Sequence, residues 1–520
     1  MGASAIGGGE WLTGPMVTAR YGGALLWLAT LSILGQTLYN IEISRYALYS
    51  GEPIFTGKFR TLPGPRFWLM VYLMLDFGSV LPYLASNAAI PLFATMFGQL
   101  PDPSAVADKQ TLKILACSIF ALGFLPLIFG GKVYNSLKAV MTFKLITVFG
   151  FLLFLAVFFS TASTWKEIGS GFFRFGTVPV KAQEDLNGNG KLDEGETQHS
   201  SPVENVFVSL WEGRGFPMVE FSMMGILAAM AAISGNGGLT NTPISNYTRD
   251  QGWGMGYHVG AIPSVIGGRA IQLSHVGMVF RVTDAAMTRW RGWLRHVRRE
   301  QVMLWAPACF LGLALPSMLS VQFLPRGMTL NDNQKWLAAG MTAGGVADAV
   351  DVRWGGMAAT EVSKNVEEQM EKGKAATGHS RIGEVFWYLT LGCGFLVLGT
   401  SMITTCDGVL RRWVDVFWTA SATLRRLDTS YIGKLYFSML CVFLVFGLIM
   451  LWNFNPTSLL VLSTNLYNYA LGVSCWHVLA VNTILLPREL RPSWSVRLGL
   501  MLAGTYFLLV AALTTFITLR

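Results

Sequence analysis

Charge is scarce in this chain. Asp, Glu, Lys and Arg together make 13% of its 520 residues, while 52% are hydrophobic. Length alone suggests several soluble domains, and that balance argues against them. Cysteine is scarce too. Cys117, Cys309, Cys393, Cys406, Cys441 and Cys475 all lie in apolar stretches, and no two are spaced as CxxC. They read as small core residues, which leaves out a disulfide framework and a cysteine zinc site. No HExxH, phosphate-cradling loop or nucleophile–base pair stands out, so an enzyme reading has little support. The N-terminus lacks the basic n-region of a signal peptide. A net charge of +9 invites nucleic acid as a partner. The arginines fall between apolar segments instead, which is the pattern of membrane topology.

What the chain has in quantity is apolar runs near twenty residues long, at a mean hydropathy of +0.45. These define an all-α polytopic membrane protein whose surroundings are a lipid bilayer. A first segment occupies residues 1–21. Further spans are expected at 24–49, 67–97, 112–129, 133–159, 219–247, 302–323, 385–405, 435–454, 458–486 and 498–519. Asn455-Pro456 punctuates the boundary before the tenth. Four links are basic: Lys58, Arg60 and Arg66 after the second span, a run from Arg281 to Arg299 after the sixth, Arg411 and Arg412 after the eighth, and Arg488, Arg491 and Arg497 before the eleventh. All four fall on one side of an eleven-span chain. The positive-inside tendency then puts the N-terminus in the cytoplasm of an inner or plasma membrane, and the acid-rich link 164–218 outside.

Two apolar segments are interrupted. ISGNGGLTNTP at 233–243 follows an apolar run, and IGGGEWLTGP at 6–15 opens the chain. Both run through glycines, then Leu-Thr, then proline. Backbone at membrane depth is tolerated unpaired only where it faces protein or a watery cavity. Paired glycine-broken segments in corresponding halves point to the substrate site of an inverted-repeat transporter; helix-packing glycine patches are the other reading. Glu10 is the acid in these stretches, and an intramembrane acid is a functional candidate by default. Capping the following half-helix through its dipole is its competing role, and Asn236 either binds or packs quietly at the break. Nine residues before Glu10 are too few for a half-helix to reach a membrane face; either the helix is short or, the favoured reading, about ten more apolar and small residues lie upstream.

Eleven spans with breaks in the first and sixth look like the LeuT-type architecture. EWLT at 10–13, YGGALLW at 21–27, SGEP at 50–53 and NTILLP at 482–487 resemble the Nramp family of divalent-metal transporters. The resemblance implies a first repeat at 1–163, an outer loop at 164–218, and a second repeat at 219–487 with a long outer loop at 324–384. An eleventh span then occupies 488–520. The family's functional motifs are absent. Its first-helix Asp-Pro-Gly-Asn falls on Gly7 to Glu10, and its Met-Pro-His near Ala232, Ile233 and Ser234. Leu81 and Leu84 stand where the acids for proton movement are expected, with Asp76 about one and a half turns earlier.

A thioether favours softer transition metals over Mg²⁺ and Ca²⁺. Without it, the ligands left are hard oxygens: Glu10, Ser234, Asn236, Thr240, Asn241, carbonyls freed near Gly7, and on the tenth span Thr464, Asn465 and Asn468. That set suits a Mg²⁺-like cation keeping several waters. The expected function is a secondary transporter or facilitator of a hard divalent cation, working by alternating access without a proton partner. Two alternatives stay open: a carrier of a small organic solute on the same fold, and a non-transporting membrane sensor.

A second motif is independent of that resemblance. DLNGNGKLDEGE at 185–196 matches the EF-hand loop: Asp185, Asn187 and Asn189 at positions 1, 3 and 5, Gly190 at 6, Asp193 at 9 and Glu196 at 12, with the Lys191 carbonyl at 7. An acidic turn without metal is the alternative. An outward-facing Ca²⁺ site of this kind would stiffen the loop.

Overall fold

The computed structural model describes residues 7–102, 104–129, 131–181, 202–259, 277–325, 337–356, 375–420 and 431–519. These residues are helical almost throughout. Gly8–Tyr21 (α1) runs through a 3₁₀ turn at Gly22–Leu25 into Trp27–Ser50 (α2), and the two meet at a bend of 95°. Ile54–Phe59 (α3) lies in the link that follows.

The third span, read from sequence as continuous over 67–97, is in three pieces: Pro65–Leu75 (α4), Phe77–Val80 (α5) and Tyr83–Phe97 (α6). Pro82 explains the second break. A proline pushes the residue before it out of the helical region, and Leu81 is extended with ψ 127°. Val106–Phe129 (α7) and Gly131–Phe158 (α8) complete the first half.

The acid-rich link opens with Ala162–Gly171 (α9), capped by the Thr161 hydroxyl. Thr177–Pro179 (β1) and Val203–Asn205 (β2) then pair antiparallel, with Thr177 opposite Asn205, and lead into Val206–Trp211 (α10). The hairpin ties together the two ends of the stretch that carries the EF-hand-like motif. The motif itself, from Asp185 through Asn187, Asn189, Lys191 and Asp193 to Glu196, lies outside the described residues.

The sixth segment is interrupted as its glycines indicate. Met224–Ile233 (α11) ends at Ser234, a 3₁₀ turn covers Gly238–Asn241, and Pro243–Asp250 (α12) resumes the helix, followed by Gly256–Val259 (α13). The basic stretch after it forms Asp284–Glu300 (α14). Met287, Trp290, Leu294 and Val297 make one buried stripe on this helix, as a 3.6-residue period requires. It continues through a π turn at Gln301–Trp305 into Ala306–Phe323 (α15). Within the link 324–384, Ala338–Trp354 (α16) is a buried helix; its alanines and glycines let it pack closely against the next span. Arg381–Ala420 (α17), Tyr431–Asn453 (α18), Pro456–Ile484 (α19) and Trp494–Leu519 (α20) complete the chain. Asn455 caps α19, accepting the Ser458 N–H at 2.7 Å.

Among the described residues, seven helices are long and apolar enough to cross a membrane, and the bent α1–α2 pair passes the same test together. The sixth and tenth segments do not, for physical reasons. The sixth is cut into short pieces, and α19 carries Thr464, Asn468, His477 and Asn482 buried among its neighbours. A span enclosed by other spans has no need to be apolar all round. Of the cysteines, Cys309, Cys393, Cys406 and Cys475 are buried, whereas Cys117 is half-buried and Cys441 exposed.

Candidate functional site

The two glycine-rich stretches meet. α1 packs against α11 and α15, and Gly9 sits so close to Ile233 that an added Cβ would meet its side chain at 2.5 Å. This approach brings the Glu10 carboxylate to the break in the other segment, where its Oε1 accepts the Gly235 N–H at 3.2 Å. Glu10 is only 1% exposed. The second break needs glycine conformations of its own. Gly238 has φ +54°, and a Cβ there would meet the Tyr467 ring at 2.5 Å.

A cavity of about 310 Å³ lies at this junction. Gly7, Gly8, Gly9 and Glu10 line one wall, Gly235, Asn236 and Thr240 another, and α17 adds Ser401, Thr404, Thr405 and Arg412. So Gly7, Glu10, Asn236 and Thr240, singled out from sequence, come together around one space. Ser234 and Asn241 are buried beside it. The Ser234 carbonyl and the Asn241 amide are both held by Gln36 of α2, which donates to the first at 3.0 Å and accepts from the second at 2.8 Å. Thr464 and Asn465 are placed elsewhere: the Thr464 hydroxyl donates to the Leu460 carbonyl of its own helix, and the Asn465 amide donates to Thr515 on α20 at 2.8 Å. Asn468 donates to the Ala228 carbonyl of α11 at 3.0 Å, and so braces the break from behind.

Sequence reasoning passed over four groups here. Gln36 is one. Its Oε1 also accepts the N–H groups of Asn236 and Gly237, at 3.2 and 3.3 Å, so one side chain satisfies much of the freed backbone. Lys144 of α8 is the second, 2% exposed, with its ammonium 3.5 Å from the Ser401 hydroxyl. Ser401 is the third; its Oγ also accepts the Gly8 N–H at 3.1 Å. The fourth is Arg412, which pairs with Asp76 at 2.5 Å and donates to the Leu239 carbonyl at 3.0 Å. Trp413 and Ser79 also donate to Asp76, each at 2.6 Å. Asp76 thus sits at the break in the third span, joined through Arg412 to the break in the sixth. A polar or charged residue inside an apolar span was the available signal for Gln36 and Lys144.

The chemistry the two breaks offer is hard. Glu10, Asn236 and Thr240 line the cavity, as do Leu84, which offers no ligand, and Met141 of α8. Among the described residues, no three His, Cys, Asp or Glu side chains gather as a metal-holding group. A cation bound in this cavity would have one carboxylate, neutral oxygens, the Met141 thioether and its own water within the same space.

No family model matches the sequence, and no curated protein matches it. Solved structures match the fold, which places the chain in an all-α, multi-span membrane class. A manganese transporter of Eremococcus coleocola aligns in two mutant forms at TM-score 0.56 and 12% identity, over 98% of this chain and 84% of that one. The same transporter in complex with an aromatic bis-isothiourea substituted compound aligns equally well, over 99% of this chain and 84% of that one.

Proposed function

We propose that the protein is a secondary transporter or facilitator, related to the Nramp carriers, that moves a hard divalent cation through the cavity beside Glu10 by alternating access. The observation that supports this most is the position of Glu10, a buried carboxylate in the first turn of α1 that meets the break in the sixth segment. Broken helices at mid-membrane are where such carriers hold their substrates. The likeness of fold to a manganese transporter agrees with a metal cation as cargo. The glycine-rich stretches carry no thioether, and although Met141 of α8 lines the same cavity, the oxygen ligands next to Glu10 suit Mg²⁺ better than softer ions. The cavity of about 310 Å³ is roomy enough for an ion with several waters. In this reading the basic links, and the N-terminus with them, lie in the cytoplasm. The test is flux into proteoliposomes with Mg²⁺ and Mn²⁺ compared. Uptake of Mg²⁺ in preference to Mn²⁺ is expected, and no flux of any divalent ion would overturn the assignment.

The cavity volume favours a second reading, a small organic solute, because pockets for such molecules begin near 300 Å³. Solute-driven counterflow in the same vesicles separates the two.

The outer link adds a structural role. We infer that residues 185–196 bind Ca²⁺ weakly, at about 10⁻⁴–10⁻³ M as extracellular modules do, and brace the loop whose ends β1 and β2 hold together.

A further inference from the structure

The charges around the cavity do not suit a plain cation site. Arg412 is neutralised by Asp76 and leaves the sum unchanged. That leaves Glu10 and Lys144, one negative and one positive, on the wall of the same cavity. They share the space without a direct ion pair. Each is fixed by a neutral partner instead: Glu10 by the Gly235 N–H, and Lys144 by Ser401, which in turn accepts the Gly8 N–H at the start of α1. An ammonium beside the one available carboxylate repels a dication, so a site shaped for cation affinity alone would not contain it.

A lysine there has a use in the half of the cycle that carries nothing. After release, an alternating-access carrier must close over an empty site and reopen on the other side. Closure strips water from Glu10, and a buried carboxylate without a counter-charge costs several kcal/mol. An ammonium in the same cavity offsets that cost. When a dication arrives it takes over the role, and the flexible four-carbon stem lets the lysine yield.

We propose that Lys144 is the counter-charge that lets the empty carrier close and return, and that it competes with the cation for the field of Glu10. This rests on the transport reading above. It concerns only the return step, so the two can fail separately. The alternative role for Lys144 is structural, a tether between α8 and α17 through Ser401.

The experiment compares net uptake with one-for-one exchange of Mg²⁺, and of Mn²⁺, in proteoliposomes carrying wild type, Lys144→Met or Lys144→Arg. Exchange returns the site loaded and never needs the empty closure. Lys144→Met is expected to lower net uptake far more than exchange, so that the ratio of net uptake to exchange falls by about 100-fold or more, as several kcal/mol for an uncompensated buried charge implies. The cation should bind more tightly, and Lys144→Arg should restore net uptake. Equal loss of both fluxes, with a lowered melting temperature, would reduce Lys144 to a tether and overturn the proposal. Unchanged net uptake would overturn it too. A wild-type protein that moves neither ion in either mode would remove the transport reading itself, and this inference with it.

Discussion

At the scale of single residues, two buried acids have different tasks. Glu10 faces the cavity, and one of its oxygens is occupied by Gly235. Glu10→Gln keeps the shape and the hydrogen bond but removes the charge. The expected outcome is a large loss of cation affinity in a protein that still folds, measured by binding titration alongside thermal unfolding. Unchanged affinity and transport would leave Glu10 the role of capping α1. Asp76 is closed off instead, taken up by Arg412, Trp413 and Ser79. Asp76→Asn strands the Arg412 guanidinium and should cost about 3–5 kcal/mol. Adding Arg412→Gln should recover much of that loss. A double mutant no more stable than the single one would show that the pair does not act as a unit.

At the scale of elements, the proposed function rests on the close approach of α1 to the break in the sixth segment, and the glycines there can be tested against glycines elsewhere. Gly238→Ala meets both a positive φ and the Tyr467 ring. It should cost upwards of about 1–2 kcal/mol, the penalty for a left-handed residue with a Cβ. Gly150→Ala on α8 meets nothing within 4 Å and should be neutral or slightly stabilising, since alanine is the better helix former. Melting temperatures of the two variants decide the matter. The same contrast separates what is legible in a sequence from what is not. The interruption at 233–243 was legible because glycine, asparagine and proline crowded into an apolar run stop a helix there. That it meets the stretch at 6–15 was suggested by their shared pattern. The break at Asp76 was not legible, because a lone Asp and a later Pro82 are each tolerated inside a helix. Nor was Ser401, and for Gln36 only its polarity inside an apolar span was legible, since what matters about both is which backbone groups they reach across the bundle. Thr464 and Asn465 were credible as ligands by type, but the face that α19 turns to the site cannot be read from composition. The outer loop offers one more element-scale test. Ca²⁺ at millimolar concentration should protect the link between β1 and β2 from proteolysis in the intact protein, and Glu196→Gln should abolish that protection. Equal cleavage with and without Ca²⁺ would leave 185–196 an acidic turn.

At the scale of the whole molecule, the driving force follows from the charge that moves. An inside-negative potential favours entry of cations by roughly 2.3 kcal/mol per charge per 100 mV. A dication therefore gains about 4.6 kcal/mol for each 100 mV by the same relation, enough to accumulate it without a coupled proton. In the third span Leu81 and Leu84 are buried, and the nearby Asp76 is committed to Arg412. If Lys144 keeps its charge throughout, a full cycle moves the two charges of the cation and nothing else. Uptake should then rise steeply with an imposed inside-negative potential. It should not respond to a pH gradient imposed at constant voltage, and no proton should cross with the metal. Vesicles with a potassium diffusion potential and an internal pH dye measure all three. A pH change in step with uptake at clamped voltage would mean that a proton moves with or against the cation, and Lys144, the buried amine on the cavity wall, would be the first group to examine for it.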